Sequence, residues 1–270
     1  MTAFYPIGSF DPKSLRDSTV ILPAVSLGNV PQLTCDLLIT SLGLKRVGYI
    51  GVGDTVSPFS GKGDDGDIVT GGLEVYGNEG SELFIIQQRS PTLKSKKESH
   101  IELIKQFILS NPIGLVMVLT SLDAANQDDA QLLTPHQRIL SPSSSTSTST
   151  SNRILQNLEN LLPSLQLGIT ISDIPQSSNK STYPPFLPAA GLTRRLLSTF
   201  HENDVIHGTI TAWCVEGDNS NDAISLAQII LNVLGIENDV KLKTPASWDG
   251  LFGTINGWSG GAGQDSELYG

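Results

Sequence analysis

Cysteine is nearly absent. Cys35 and Cys214 are the only two in 270 residues. They show no CxxC and no Cys/His ligand spacing, which argues against a disulfide framework or a structural zinc site. Two buried structural thiols in a reducing compartment is the reading that fits. Positive charge is scarce too: 17 Lys and Arg against 27 Asp and Glu leave a net charge of −10. That balance argues against holding nucleic acid or an anionic membrane by bulk electrostatics. No apolar run approaches the roughly 18–20 residues needed to span a bilayer. The opening Met1-Thr2-Ala3-Phe4-Tyr5-Pro6 lacks a basic region followed by an apolar one, so no signal peptide is expected. The chain is expected to be soluble and cytosolic or nuclear. The four His are scattered, and no residue pattern calls for a metal or cofactor.

What is present is organised around residues 19–53. Val20, Ile21, Leu22, Ala24 and Val25 read as a strand buried on both faces. Asn29 is placed to cap a helix, with Pro31 near its first position. Leu33, Leu37 and Leu38 repeat at helical spacing, and Gly43 is the stop. Val47–Val52 is a second strand. Joined this tightly, the three predict a βαβ unit within an α/β fold: a central, mostly parallel (mixed) sheet with helices on both faces.

Residues 1–18 are polar, carry Pro6 and Pro12, and read as a loosely tied arm. Residues 54–71 are a long Gly- and Asp-rich loop. Leu73–Tyr76 and Leu83–Ile86 flank a turn and predict a β-hairpin. Ser99 with Glu102 fits a capping box, ahead of a helix with Ile101, Ile104, Phe107 and Ile108 on one face and Asn111-Pro112 at its end. Ile113–Leu119 should be a central strand. Its end, Thr120–Asp123, lies where an open α/β sheet presents functional groups. Residues 141–151 are almost wholly Ser and Thr and are expected to be disordered. Ile154–Leu162 predicts an amphipathic helix, and 172–188 another long loop. A helix from Gly191, a strand over Ile206–Val215, and a helix stopped by Gly235 follow. Trp248, Leu251 and Phe252 would anchor a last short helix. One α/β domain over 1–253 is expected, and 254–270 reads as a flexible, Gly-rich tail.

For chemistry, Ala24-Val25-Ser26-Leu27-Gly28 has the form of a nucleophile elbow. Its acid and base would come from Asp123 or Asp173 with His201 or His207, and no surroundings single out a pair. A turn that only joins strand to helix is the plainer reading, as it is against an anion site at the same helix N-terminus. Asp64, Asp65 and Asp67 lack the Glu and flanking helices of an EF-hand and read as a solvated acidic loop. Lys94, Lys96 and Lys97 could meet an acidic partner, although a solvated charge run is the default. No residue set qualifies as catalytic, and an enzyme of phosphorylase or hydrolase type using Ser26 is kept only as the alternative.

The run Leu22–Val30, with Gln32-Leu33, Asp36-Leu37 and Gly48-Tyr49, resembles the proteasome assembly chaperone 2 family. Further blocks agree in order: Gln88-Arg89-Ser90, Val116–Ser121, Gly191-Leu192-Thr193, Glu216–Asn219 with Asp222-Ala223, and Pro245–Trp248 with Leu251–Gly253. The resemblance implies a nucleoside-phosphorylase-like fold without catalytic groups. It also implies a heterodimer with proteasome assembly chaperone 1. Seated on the α-ring of the 20S core particle, that pair would promote assembly and block premature regulator binding. The final Leu268-Tyr269-Gly270 matches the hydrophobic–tyrosine–any-residue (HbYX) ending that enters pockets between α subunits, so these three residues are the expected partner-binding site.

Overall fold

The computed structural model describes residues 3–58, 61–62, 69–129, 131–142, 148–167 and 183–248. Eight strands build the main sheet: β1 (Phe4–Pro6), β2 (Thr19–Pro23), β3 (Lys45–Ile50), β6 (Leu73–Gly77), β7 (Leu83–Gln88), β8 (Leu115–Asp123), β9 (His136–Leu140) and β10 (His207–Cys214). Two short strands, β4 (Gly61–Lys62) and β5 (Val69–Thr70), form a separate ribbon. The helices are α1 (Val30–Ser41), α2 (Lys97–Ser110), α3 (Ser149–Leu161), α4 (Gly191–Glu202) and α5 (Ser220–Leu234).

The spatial order is β1-β3-β6-β7-β2-β8-β10-β9. Its centre, β7-β2-β8-β10, is parallel throughout, while β1, β6 and β9 run the other way. The mixed α/β sheet with helices on both faces is therefore as expected. The period-2 alternation of β8 shows how the faces divide. Val116, Val118 and Leu122 join one core with α2 and α4; Leu115, Met117 and Leu119 join the other with α1, α3 and α5.

Several local expectations need correction. β3 runs parallel to β2 but is not its neighbour: β6 and β7 lie between them. The β6–β7 hairpin therefore fills a gap that a simple βαβ unit would not have. Residues 3–18 are not a loose arm. Phe4–Pro6 pairs antiparallel with β3, and Ala3, Phe4 and Leu15 are buried. Gly48 makes this possible, because a Cβ there would lie 2.3 Å from the Phe4 ring, which stacks 5.5 Å from Phe107. β9 was not foreseen at all.

Asn29 stands at the α1 N-cap position, yet its backbone is left-handed (φ 53°) and its side chain makes no capping bond. α2 begins two residues ahead of Ser99, so the capping box does not form; Glu102 pairs instead with Lys105. α3 starts inside the Ser/Thr run. Thr148 accepts from the Ser151 N–H, and the Ser151 hydroxyl donates to Gly114 O, which gives the end of that run a helical role. The described residues end in a 3₁₀ turn over Ala246–Trp248, and Leu251 and Phe252 of the expected last helix lie beyond them. Residues 143–147, Asp64, Asp65, Asp67, most of the 172–188 loop, Leu251, Phe252 and the 254–270 tail lie outside the described residues.

Candidate functional site

In an open α/β sheet the crevice for a ligand opens at the carboxyl ends of the parallel strands, where the connections of two neighbouring strands lead off in opposite directions. Here that place lies between β2 and β8, since the chain leaving β2 through α1 returns to β3 on one side of the pair, whereas the chain leaving β8 goes to β9 on the other. Both Ser26 and Thr120–Asp123 are at this spot. The two regions singled out from the sequence do converge.

What fills the crevice is the chain itself. Ser26 Oγ donates to Ala24 O at 2.9 Å and accepts from the Ser121 N–H at 2.9 Å. The Ser121 hydroxyl reaches Ser26 Oγ at 2.8 Å and also Leu27 O. The Cys214 thiol, at the end of β10, donates to the same Leu27 carbonyl at 3.3 Å. Burial above all, then the nearby carboxylates Asp222 and Asp123, push that thiol up, so it stays protonated and serves as a donor. Gly28 is left-handed (φ +65°), and a Cβ on it would lie 2.5 Å from Asn219 Nδ2. Only Gly lets the two turns approach this closely. Asn219 is buried and donates to Gly217 O at 2.9 Å. Thr34 on α1 ties to Ala223 O on α5 at 3.3 Å.

Among the described residues the Ser26 hydroxyl bonds Ala24 and Ser121, and no His ring is its hydrogen-bond partner. His207 opens β10 and Cys214 closes it seven residues later, a separation of about 23 Å at the rise of a strand. Since Cys214 is the residue beside Leu27, His207 belongs to the opposite end of the sheet. There its ring bonds Val205 O and the Tyr183 hydroxyl, and burial pulls its pKa down to about 4. Tyr183 also packs on the His201 ring, 5.1 Å between centroids, which places His201 at that end too. Asp123 is occupied in accepting from the Ala125 N–H. Asp173 lies outside the described residues.

A second polar centre was not foreseen. Glu74, fully buried on β6, accepts from the Gly71 N–H and the Tyr76 hydroxyl, each at 2.8 Å, and pairs with Arg46. Arg89 reaches Asp36 at 2.9 Å and Glu74 at 3.8 Å. Burial first, then the Glu74 carboxylate, push the Tyr76 phenol up. This network clamps the β6–β7 hairpin onto β3 and α1. Beside it, at the carboxyl end of β3, Tyr5, Tyr49, Val56, Pro58 and Gly72 line an apolar cleft of about 650 Å³. The Lys patch is partly engaged, with Lys96 3.7 Å from Asp54.

The blocks quoted from the sequence meet in pairs. Leu22–Val30 meets Glu216–Asn219 through Gly28 and Asn219. Asp36 meets Arg89. Thr120 meets Thr193, with their hydroxyls 3.1 Å apart. Leu268, Tyr269 and Gly270 lie outside the described residues.

Comparison with known proteins agrees with this architecture. Residues 20–208 match the PAC2 family. A protein named proteasome assembly chaperone 2 from Danio rerio is 30% identical over 256 residues, covering 89% of this chain and 94% of its own length. A protein of the same name from Xenopus tropicalis is 31% identical over 263 residues, covering 93% and 97%. Among solved structures, Pyrococcus furiosus PbaA, described as an archaeal homolog of proteasome-assembly chaperone, has a TM-score of 0.58. That likeness covers 95% of this chain and 96% of PbaA at 13% identity, and it speaks to the fold alone. With one family matched over most of its length and relatives of a single name spanning nearly all of it, the chain belongs to the PAC2 family.

Proposed function

We propose that this chain is a proteasome assembly chaperone that works without catalysis, as half of a heterodimer with proteasome assembly chaperone 1. On this reading the pair sits on the α-ring of the 20S core particle, promotes its assembly and blocks premature regulator binding. The observation that carries the non-catalytic part is the closed crevice. Ser26, Ser121, Leu27 and Cys214 hydrogen-bond one another where a substrate would have to enter, and Asn219 packs against Gly28 beside them. The relatives' shared name supports the assembly role. The cytoplasm and nucleus are the compartments where such a role would be exercised.

The anchor in this proposal is Leu268-Tyr269-Gly270. The 15 residues from Gly253 to Glu267 could extend roughly 45–50 Å at about 3.3 Å per residue, with a mean span as a coil nearer 20 Å. Burying Leu268 and Tyr269 is worth roughly 1.5–3 kcal/mol each. A contact from a terminal carboxylate to a partner lysine adds about 1.5–3 kcal/mol. Fixing each backbone unit costs about 1–2 kcal/mol. The balance is small, so the tail binds usefully only when the folded body docks beside it and makes its insertion intramolecular. The test is the affinity of the heterodimer for purified core particles, measured at several salt concentrations. Tyr269→Ala, or a tag masking the Gly270 carboxylate, should weaken binding without lowering the melting temperature. Equal binding by tailless and intact heterodimers would remove the anchor. Ester or nucleoside turnover abolished by Ser26→Ala would favour the enzyme instead.

A further inference from the structure

Three of the four most exposed large apolar side chains among the described residues gather at one corner of the sheet: Leu133 (88% exposed), Leu132 (64%) and Val215 (62%). The antiparallel register of β9 and β10 pairs His136 with Ala212, and the Trp213 N–H donates to Pro135 O. The strand pairing ends there: Gln131–Leu133 is a 3₁₀ turn closed by the Thr134 N–H on Gln131 O, two residues ahead of Pro135, as Val215 lies two residues beyond Trp213. The leucines are not on a loose loop. The buried Gln131 side chain accepts from the Asp128 N–H, and the Gln131 N–H donates to the Asp128 carboxylate. Its side-chain amide also donates to Gln166 O, and its carbonyl accepts from Gln127 and from the Thr134 N–H. A buried, multiply bonded glutamine thus holds two neighbouring leucines out into solvent.

Exposed carboxylates flank them along the chain, Asp128 and Asp129 ahead of Leu132 and Glu216 and Asp218 after Val215, and exposed Asp123 pairs with Cys214 across β8 and β10. No Lys or Arg occurs from Gln106 to Gln137 or from Leu196 to Val240, so the chain segments that build this corner bring no compensating cation. An apolar centre inside a charged rim is the anatomy of a protein interface, and the sign of the rim selects its partner. The corner also stands apart from Lys243. The Lys243 N–H bonds Ser41 Oγ at 2.8 Å, at the far end of α1, which lies at the amino edge of the parallel strands. The leucine corner lies at their carboxyl edge.

We propose that this corner seats the partner chain of the heterodimer, through an apolar hollow on that chain rimmed by Lys and Arg. The assignment rests on the heterodimer reading above. The test uses the full chain co-expressed with proteasome assembly chaperone 1, with heterodimer affinity measured at rising salt. Leu132→Ser with Leu133→Ser should weaken the heterodimer by at least about tenfold while the melting temperature of the chain is unchanged. Asp129→Lys with Glu216→Lys should weaken it as well and flatten its salt dependence. Unchanged affinity in both variants overturns the assignment and leaves the heterodimer reading standing. A loss confined to core-particle binding, with the heterodimer intact, overturns it too. A wild-type chain with no affinity for chaperone 1 removes the heterodimer reading, and this assignment falls with it.

Discussion

Gly28→Ala probes the closed crevice most directly. At φ +65° an L-residue costs about 1–2 kcal/mol relative to glycine. The new methyl would also sit 2.5 Å from Asn219 Nδ2 and 2.9 Å from its Cγ, so the buried amide has to move. Moving it breaks the 2.9 Å bond to Gly217 O, and stranding such buried groups costs about 1–3 kcal/mol. The two effects total about 2–5 kcal/mol. At roughly 2–4 °C per kcal/mol for a domain of this size, the melting temperature should fall by roughly 4–20 °C. Urea unfolding of the full chain, followed by tryptophan fluorescence, measures the free energy. The mechanism is tested by the cycle with Asn219→Ala. That change alone loses the bond, but it leaves room for a methyl at position 28. The double variant should therefore cost less than the sum of the two singles by about 1–3 kcal/mol. Strict additivity would show that the turns do not press on each other, and the crevice would have to be regarded as open.

Other perturbations separate packing from chemistry. Ser26→Ala leaves the Ser121 N–H without its acceptor and should cost about 1–3 kcal/mol in urea unfolding, with core-particle binding unchanged. Glu74→Gln leaves Arg46 and Arg89 against a neutral amide and should cost about 3–5 kcal/mol by the same measurement. His100, His136 and His207 are each held near a pKa of about 4 by burial, against 6.5 unfolded. Between pH 6.5 and 4 the unfolded chain binds more protons than the native one, so stability falls as pH falls through that window. The expected slope is about 1.4 kcal/mol per pH unit for each imidazole. Replacing His100 with Gln should remove about a third of that slope; an unchanged slope would show that His100 does not titrate as stated. Both thiols are buried, so iodoacetamide should label Cys35 and Cys214 only after unfolding.

Much of the fold was legible because burial on two faces leaves simple patterns. β2, β7, β8 and β10 are short apolar runs, and α5 shows its buried stripe and its left-handed Gly235 stop. What stayed hidden depends on partners distant in the chain. The strand β3 reads the same whether β2 or β6 lies beside it, so adjacency was assigned by default. β1 holds its place by pairing with β3, with the Phe4 ring over Gly48, and no three-residue pattern announces that. β9, with His136, Gln137 and Arg138, is too polar to read as a strand, although His136 and Gln137 are buried against β10. Glu74 stands in a run that alternates with apolar residues, and the cations that allow its burial come from β3 and the end of β7. The pairing of sequence blocks across the crevice was invisible for the same reason, while the blocks themselves were plain.

A crevice sealed by its own side chains also makes a statement about where mutations should act. An enzyme of this architecture keeps a void at the carboxyl ends of its strands, and the residues there trade stability for chemistry. Here the same positions are mutually satisfied, so their loss should appear as lost stability with binding intact. The leucine corner and the terminal Leu268 and Tyr269 should show the converse: lost binding with stability intact, because Leu132 and Leu133 make no demand on the core. The pair of results therefore discriminates as a whole. If Ser26→Ala abolished core-particle binding at unchanged melting temperature, the crevice would be a working surface, and the division between scaffold and docking face would be wrong.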